Sequence, residues 1–86
     1  MPEISRFFGI SIRMYRDEHL PPHFHAIYNE FSAQISIRDL AVIQGNLPPR
    51  VLGYVIEWAS LHADDLVQCW ETARTDQPIG KIEPLV

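Results

Sequence analysis

The stretch Pro22-His23-Phe24-His25-Ala26-Ile27-Tyr28-Asn29-Glu30-Phe31-Ser32-Ala33-Gln34-Ile35-Ser36-Ile37-Arg38 decides the fold. Phe31, Ala33, Ile35 and Ile37 alternate with Ser32, Gln34, Ser36 and Arg38, the period of two that marks a strand with one buried face. His23 to Tyr28 is short, aromatic and β-branched, and Asn29-Glu30 supplies a hairpin turn between the two runs. In the first run Phe24, Ala26 and Tyr28 form the inward set, which sends His23 and His25 outward. Upstream, Ile10, Ile12 and Met14 alternate with Ser11, Arg13 and Tyr15. Downstream, Ala41 to Gln44 reads as a further short strand ending at Gly45-Asn46. Strands are therefore expected near 9–16, 23–28, 32–38 and 41–44, arranged as an antiparallel meander. The proline pairs Pro21-Pro22 and Pro48-Pro49 separate one pattern from the next, because proline fixes φ and removes a donor.

After Pro49 the period becomes helical. Val51, Leu52, Val55, Ile56, Trp58, Ala59, Ala63, Leu66, Val67, Cys69, Trp70 and Ala73 fall within about half of a helical wheel. Gly53, Glu57, Ser60, Asp64, Gln68 and Glu71 fill the other half. The phase holds past His62, which predicts one long helix near 49–74, capped by Asn46 or a neighbour. Its apolar stripe matches the apolar face of the sheet. The fold class is α+β: a small antiparallel sheet of three to four strands packed on one face by a long C-terminal helix. One domain is expected, with sheet over 1–46, helix over 47–75 and an extended tail over 76–86.

Eighty-six residues leave room for one small core. Hydrophobic residues at 47% and charged residues at 21% are those of a globular chain, which excludes a disordered polymer. A formal charge of −4 and a pI near 5.4 argue against a nonspecific nucleic-acid binder, so RNA is a disfavoured partner. The charge is uneven. Residues 1–43 hold four basic and five acidic groups, and residues 44–86 hold three and six. The lone cysteine, Cys69, excludes an internal disulfide and a cysteine-rich zinc site. With no secretory start and no apolar run near the ~18 residues of a membrane span, a cytoplasmic location away from membranes is expected.

Chemistry concentrates in His19-Leu20-Pro21-Pro22-His23-Phe24-His25. On a strand His23 and His25 share a face, ~6.5–7 Å apart along the backbone. Two readings follow. Arg13 and Arg38, placed outward with them, suit an anion, since guanidinium matches phosphate or carboxylate. His23 and His25 are then candidate acid–base catalysts, and with either arginine they make a ribonuclease or phosphodiesterase site. In the other reading His19, His23 and His25 hold a divalent metal such as zinc, with one position open. Arginines beside that site would repel the cation, and the acid–base reading itself needs no cofactor. The plain alternative is a polar, solvated sheet face with no ligand. Catalysis and binding both stay open at this point.

The remaining residues read as structural. His62 lies in the apolar stripe and is expected as a core histidine bonded to backbone or to the His19 loop. Cys69 is expected as a buried, inert thiol, and Trp58 and Trp70 as core anchors. Tyr54 and Leu61, with the rim of Trp58, form a modest patch for a partner or for a homodimer.

The segments PEISRFFGI, HLPPHFHAIY, GNLPPR, EWASLH, WETAR and KIEPL resemble the bacterial domain-of-unknown-function family 4160 over nearly the whole chain. The resemblance implies a small one-domain cytoplasmic protein. It also implies a component of a toxin–antitoxin-like two-gene module, acting through a small protein partner from the neighbouring gene. His19, His23 and His25 are the positions that carry the family's proline-bracketed histidine motif.

Overall fold

The computed structural model describes residues 3–86. Five strands run in sequence, β1 (Glu3–Phe7), β2 (Ile10–Arg13), β3 (His23–Tyr28), β4 (Phe31–Ser36) and β5 (Val42–Asn46), followed by α1 (Pro49–Leu61) and α2 (Ala63–Ala73). The sheet is fully antiparallel in the order β1-β2-β3-β4-β5, the meander expected from the alternating runs. Asn29 and Glu30 form the β3–β4 turn, closed by the Tyr28–Phe31 pair.

The strand count corrects the expected three to four. β1 is an additional strand, joined to β2 by Phe8 and Gly9, both at positive φ (53° and 77°) as a tight mirror-image hairpin turn requires. A register shift between Glu3 and Ser5 leaves Ile4 and Ser5, consecutive residues, both buried. The period of two is thus broken where it would have announced the strand.

The helix expected as one piece is two. His62 sits between them at φ −122° and ψ 29°, outside helical geometry. Its N–H is still shared between the Trp58 and Ala59 carbonyls, at 3.1 and 3.2 Å, so the buried stripe passes almost in phase from Trp58 and Ala59 to Leu66. Asp64 and Asp65 open the first turn of α2, where carboxylates favour a helix N-terminus. That acidic pair is the local sign of a new start. Asn46 does not cap α1; it ends β5, and Pro48 and Pro49 begin the helix without a side-chain cap.

One face of the sheet makes the core. Phe24 pairs with Ile35, and Ile35 with Val42, along one row; Ile12, Ala26, Ala33 and Gly45 form the next. Trp58 of α1 covers them, fully buried, with its ring 5.5 Å from Phe7 and 5.8 Å from Phe24. Residues beyond α2 carry no regular structure but are not idle. Ile82 donates its N–H to the Ile4 carbonyl (2.7 Å), and the Glu83 carbonyl accepts the Trp58 indole N–H (2.8 Å). Among the described residues, no helix is long and apolar enough to cross a membrane.

Candidate metal centre

The second face of the sheet carries the polar residues. Arg13, His25, Gln34 and Gln44 lie directly opposite one another across β2, β3, β4 and β5. His23, two residues before His25, pairs with Ser36. The loop from β2 to β3 folds back over this face. Asp17 takes a left-handed φ of 57°, and the chain turns so that Glu18 returns toward the histidines. Arg16 anchors the turn by donating to the Thr75 carbonyl and, at 2.9 Å, to the Gln77 carbonyl beyond α2. The return limb passes through a cis Leu20–Pro21 peptide, and the Pro22 carbonyl accepts the Ile37 N–H at 3.0 Å.

Three side chains converge there. His25 Nε2 donates to Glu18 Oε1 at 2.5 Å, and the Tyr15 ring stands edge-on to the His25 ring at 4.6 Å. His23 Nε2 lies 3.6 Å from the same carboxylate oxygen. The ligand atoms of Glu18, His23 and His25 all lie within 4.8 Å of one another. His23 is the unusual member. Its side chain has no exposure, Trp70 packs 5.4 Å from its ring, and its Nδ1–H donates to the Pro21 carbonyl at 2.8 Å. A neutral imidazole with its proton on Nδ1 presents only a lone pair at Nε2. That Nε2 has no hydrogen-bond partner among the described residues. Two buried or half-buried acceptors, His23 Nε2 and Glu18 Oε1, therefore face each other. A cation placed between them would satisfy both, while in the metal-free protein His25 already donates to the same Glu18 oxygen.

The expected site residues fare differently. His23 and His25 share a face, but His23 is buried rather than outward and open. Arg13 is His25's direct cross-strand neighbour; its Nε donates to Ser11 Oγ at 3.0 Å, which in turn donates to Glu3 at 2.5 Å. Arg38 is not on the sheet face: it is exposed in the turn that follows β4. His19 is exposed, its ring 5.7 Å from that of His23 and its Nδ1–H on the Leu20 carbonyl at 3.2 Å; it is not among the converging ligands. Glu18 takes that place. Sequence reading passed over it, although Glu18, His23 and His25 stand in the order E-x4-H-x-H; only the left-handed turn at Asp17 reveals the carboxylate's direction.

His62 is likewise relocated. Its ring lies 5.7 Å from that of Trp58, and its Nδ1 meets the Asp65 carboxylate at 3.3 Å, neither backbone nor the His19 loop. Cys69 is buried, as expected, and burial together with the nearby Asp65 charge pushes its thiol pKa up. Trp58 has no exposed rim for a patch. Tyr54 instead packs on exposed Phe8, ring to ring at 5.0 Å, with exposed Leu61 two helical turns further along α1.

A five-stranded meander backed by two helices, with a carboxylate and two imidazoles gathered on its polar face, defines a small α+β protein carrying a candidate metal centre. The family model described as Domain of unknown function (DUF4160) matches residues 9–71, and the chain belongs to that family. No curated protein and no solved structure matches.

Proposed function

We propose that the protein binds a divalent transition metal of the zinc class through Glu18, His23 and His25. The observation that carries this reading is His23 Nε2, fully buried, without a hydrogen-bond partner among the described residues, and turned to Glu18 while Nδ1–H is fixed on a backbone carbonyl. A backbone acceptor on the far nitrogen is the usual way a metal-binding histidine is held in the right tautomer. Distances agree. Zinc bonds of ~2.0–2.2 Å at a tetrahedral angle place ligand atoms ~3.3–3.6 Å apart. His23 and Glu18 already stand at 3.6 Å; a metal would displace the proton that His25 Nε2 donates to Glu18, and Glu18, one-fifth exposed, would draw back from His25. A proton on His23 Nε2 would serve less well, because 3.6 Å is too long for a hydrogen bond. Two nitrogens and one carboxylate leave a coordination position for water or ligand. A metal there supplies Lewis acidity and a more acidic bound water. Acid–base cleavage of RNA by the two histidines alone is less well supported, since a buried His23 is out of reach of a phosphodiester.

The test is competitive zinc titration of purified protein, with His23→Asn and Glu18→Gln beside it. Asparagine keeps a donor for the Pro21 carbonyl and removes Nε2. Wild type is expected to take one zinc, and each variant to bind at least about tenfold more weakly while keeping its circular dichroism. Wild type without stoichiometric uptake, or variants that bind equally well, would overturn the reading.

Exposed Phe8 and Leu61, with half-buried Tyr54, favour a second, separate proposal, the small protein partner of a two-gene module. Co-expression with the neighbouring gene product should yield a heterocomplex that Phe8→Glu disrupts; two freely separating proteins would count against it.

A further inference from the structure

We infer that the groove between α2 and the chain that follows it binds a small organic amine, an apolar body carrying one ammonium group. The groove has a volume of about 590 Å³, within the ~300–1,000 Å³ of small-molecule sites. It shares no residue with the metal centre and stands apart from that reading. One wall is the side of α2 that carries Gln68, Cys69 and Thr72; the other is the irregular stretch between Pro78 and Pro84. Cys69 and Ile82, one from each wall, are buried and give the groove an apolar floor. Both walls are fixed before any ligand arrives. Leu66, Cys69, Trp70 and Ala73 set α2 into the core. The irregular wall is tied at two consecutive residues: Ile82 N–H donates to the Ile4 carbonyl at 2.7 Å, and the Glu83 carbonyl accepts the Trp58 indole N–H at 2.8 Å. A concave site whose shape is already set loses little freedom when it binds.

Charge selects the ligand. Besides the Cys69 thiol, the ionisable side chains that border the groove are Asp65, Lys81 and Glu83. Lys81 is engaged elsewhere: its Nζ donates to the Glu3 carbonyl at 3.4 Å, and its charge helps hold the Glu3 carboxyl below the ordinary range. Asp65 meets His62 Nδ1 through Oδ2 at 3.3 Å, which leaves its second oxygen to the groove. Glu83 is exposed and has no ion pair among the described residues. The Asp65 charge is felt inside the groove, where it adds to burial in raising the Cys69 thiol pKa. α2 supplies no base to offset it, since Asp64, Asp65 and Glu71 are its only charged residues. An anion would meet two carboxylates on the rim, and a neutral molecule would leave both unused. An ammonium pairs with them while its apolar body covers Cys69 and Ile82.

The experiment follows the amide NMR spectrum of the isotope-labelled full-length protein during separate titrations with phenylbutylamine, phenylbutanol and phenylbutyrate, which share one apolar body. The amine is expected to shift the Gln68, Cys69, Thr72 and Ile82 amides saturably, and the alcohol and the carboxylate to bind at least about threefold more weakly. Glu83→Gln changes an exposed side chain and keeps the carbonyl that Trp58 uses. It should weaken the amine about threefold and leave the alcohol as in wild type. Gln68→Trp puts a ring into the groove and should abolish saturation by all three while circular dichroism stays that of wild type. The inference is overturned if the amine shifts none of these amides, or if the alcohol or the carboxylate binds as tightly as the amine. It is equally overturned if Glu83→Gln binds the amine as wild type does, or if folded Gln68→Trp still saturates.

Discussion

A buried imidazole is ordinarily satisfied at both ring nitrogens, since leaving one unpaired costs about 1–3 kcal/mol. His23 satisfies one, and the second points at a carboxylate that cannot donate to it. Cys69 is the opposite case, a buried group whose environment suppresses its chemistry. Burial first, and the Asp65 charge second, hold the thiol above its ordinary range, so little thiolate forms near neutral pH. Alkylation of the folded protein by iodoacetamide at pH 8 should run at least about tenfold slower than that of a free cysteine, and rise to the free rate in urea. Folded protein alkylated at the free rate would refute this. At this scale the sequence was partly legible. The His23-x-His25 spacing declared a shared face because strand side chains alternate. Glu18 and His19 are neighbours, and nothing in their spacing distinguishes the carboxylate that swings inward from the imidazole that stays out. The backbone sign at Asp17 decides it, and aspartate at positive φ leaves no mark in the sequence.

The elements show the same division between regular and irregular geometry. Strands β3 and β4 were legible because Phe24, Ala26, Ala33 and Ile35 keep the period of two around a two-residue turn, although His23 and Ser36, which pair with each other, are buried as well. β1 was not, since its bulge puts two consecutive residues inward, and the break at His62 was masked by a stripe that stays in phase across it. Gly45 is where the sheet's geometry is least forgiving. It sits in β5 at φ +81°, opposite Ala33, and a Cβ there would lie 2.2 Å from the Ser32 carbonyl oxygen. The left-handed conformation alone costs a side chain ~1–2 kcal/mol, and the contact is with backbone that cannot rotate away. Gly45→Ala should therefore lose more than ~2 kcal/mol in urea denaturation. Gly53 provides the contrast, because a Cβ on it meets nothing within 4 Å in the middle of α1. Gly53→Ala is expected to gain ~0.8–1 kcal/mol from helix propensity. Equal effects at the two glycines would contradict both assignments.

Across the whole molecule, the two ends of the described chain meet at β1. Ile82 bonds to the Ile4 backbone, and the Lys81 ammonium reaches the Glu3 carbonyl at 3.4 Å. The Glu3 carboxylate is the hub on that edge, accepting from Ser11 Oγ and from Arg6, and these bonds lower its pKa below the ordinary 4.5, Ser11 contributing most. The sign follows from linkage. A carboxylate depressed in the folded state contributes stability that is present above its unfolded pKa and is lost as pH falls through the lower, folded one. Its contribution is modest, because the group is partly exposed and salt screens it. Urea midpoints of wild type should thus hold from neutrality to about pH 5 and decline below the ordinary glutamate range of ~4.3. Glu3→Gln should start lower at pH 7 and decline less on acidification, so that the two curves converge toward pH 2. The same substitution removes the carboxylate that, through Ser11, fixes Arg13 on the polar face. Loss of the acid-dependent gap would show that the Ser11 and Arg6 bonds do not favour the ionised carboxylate, whereas its presence places the stabilising carboxylate on the strand where the two ends of the described chain meet.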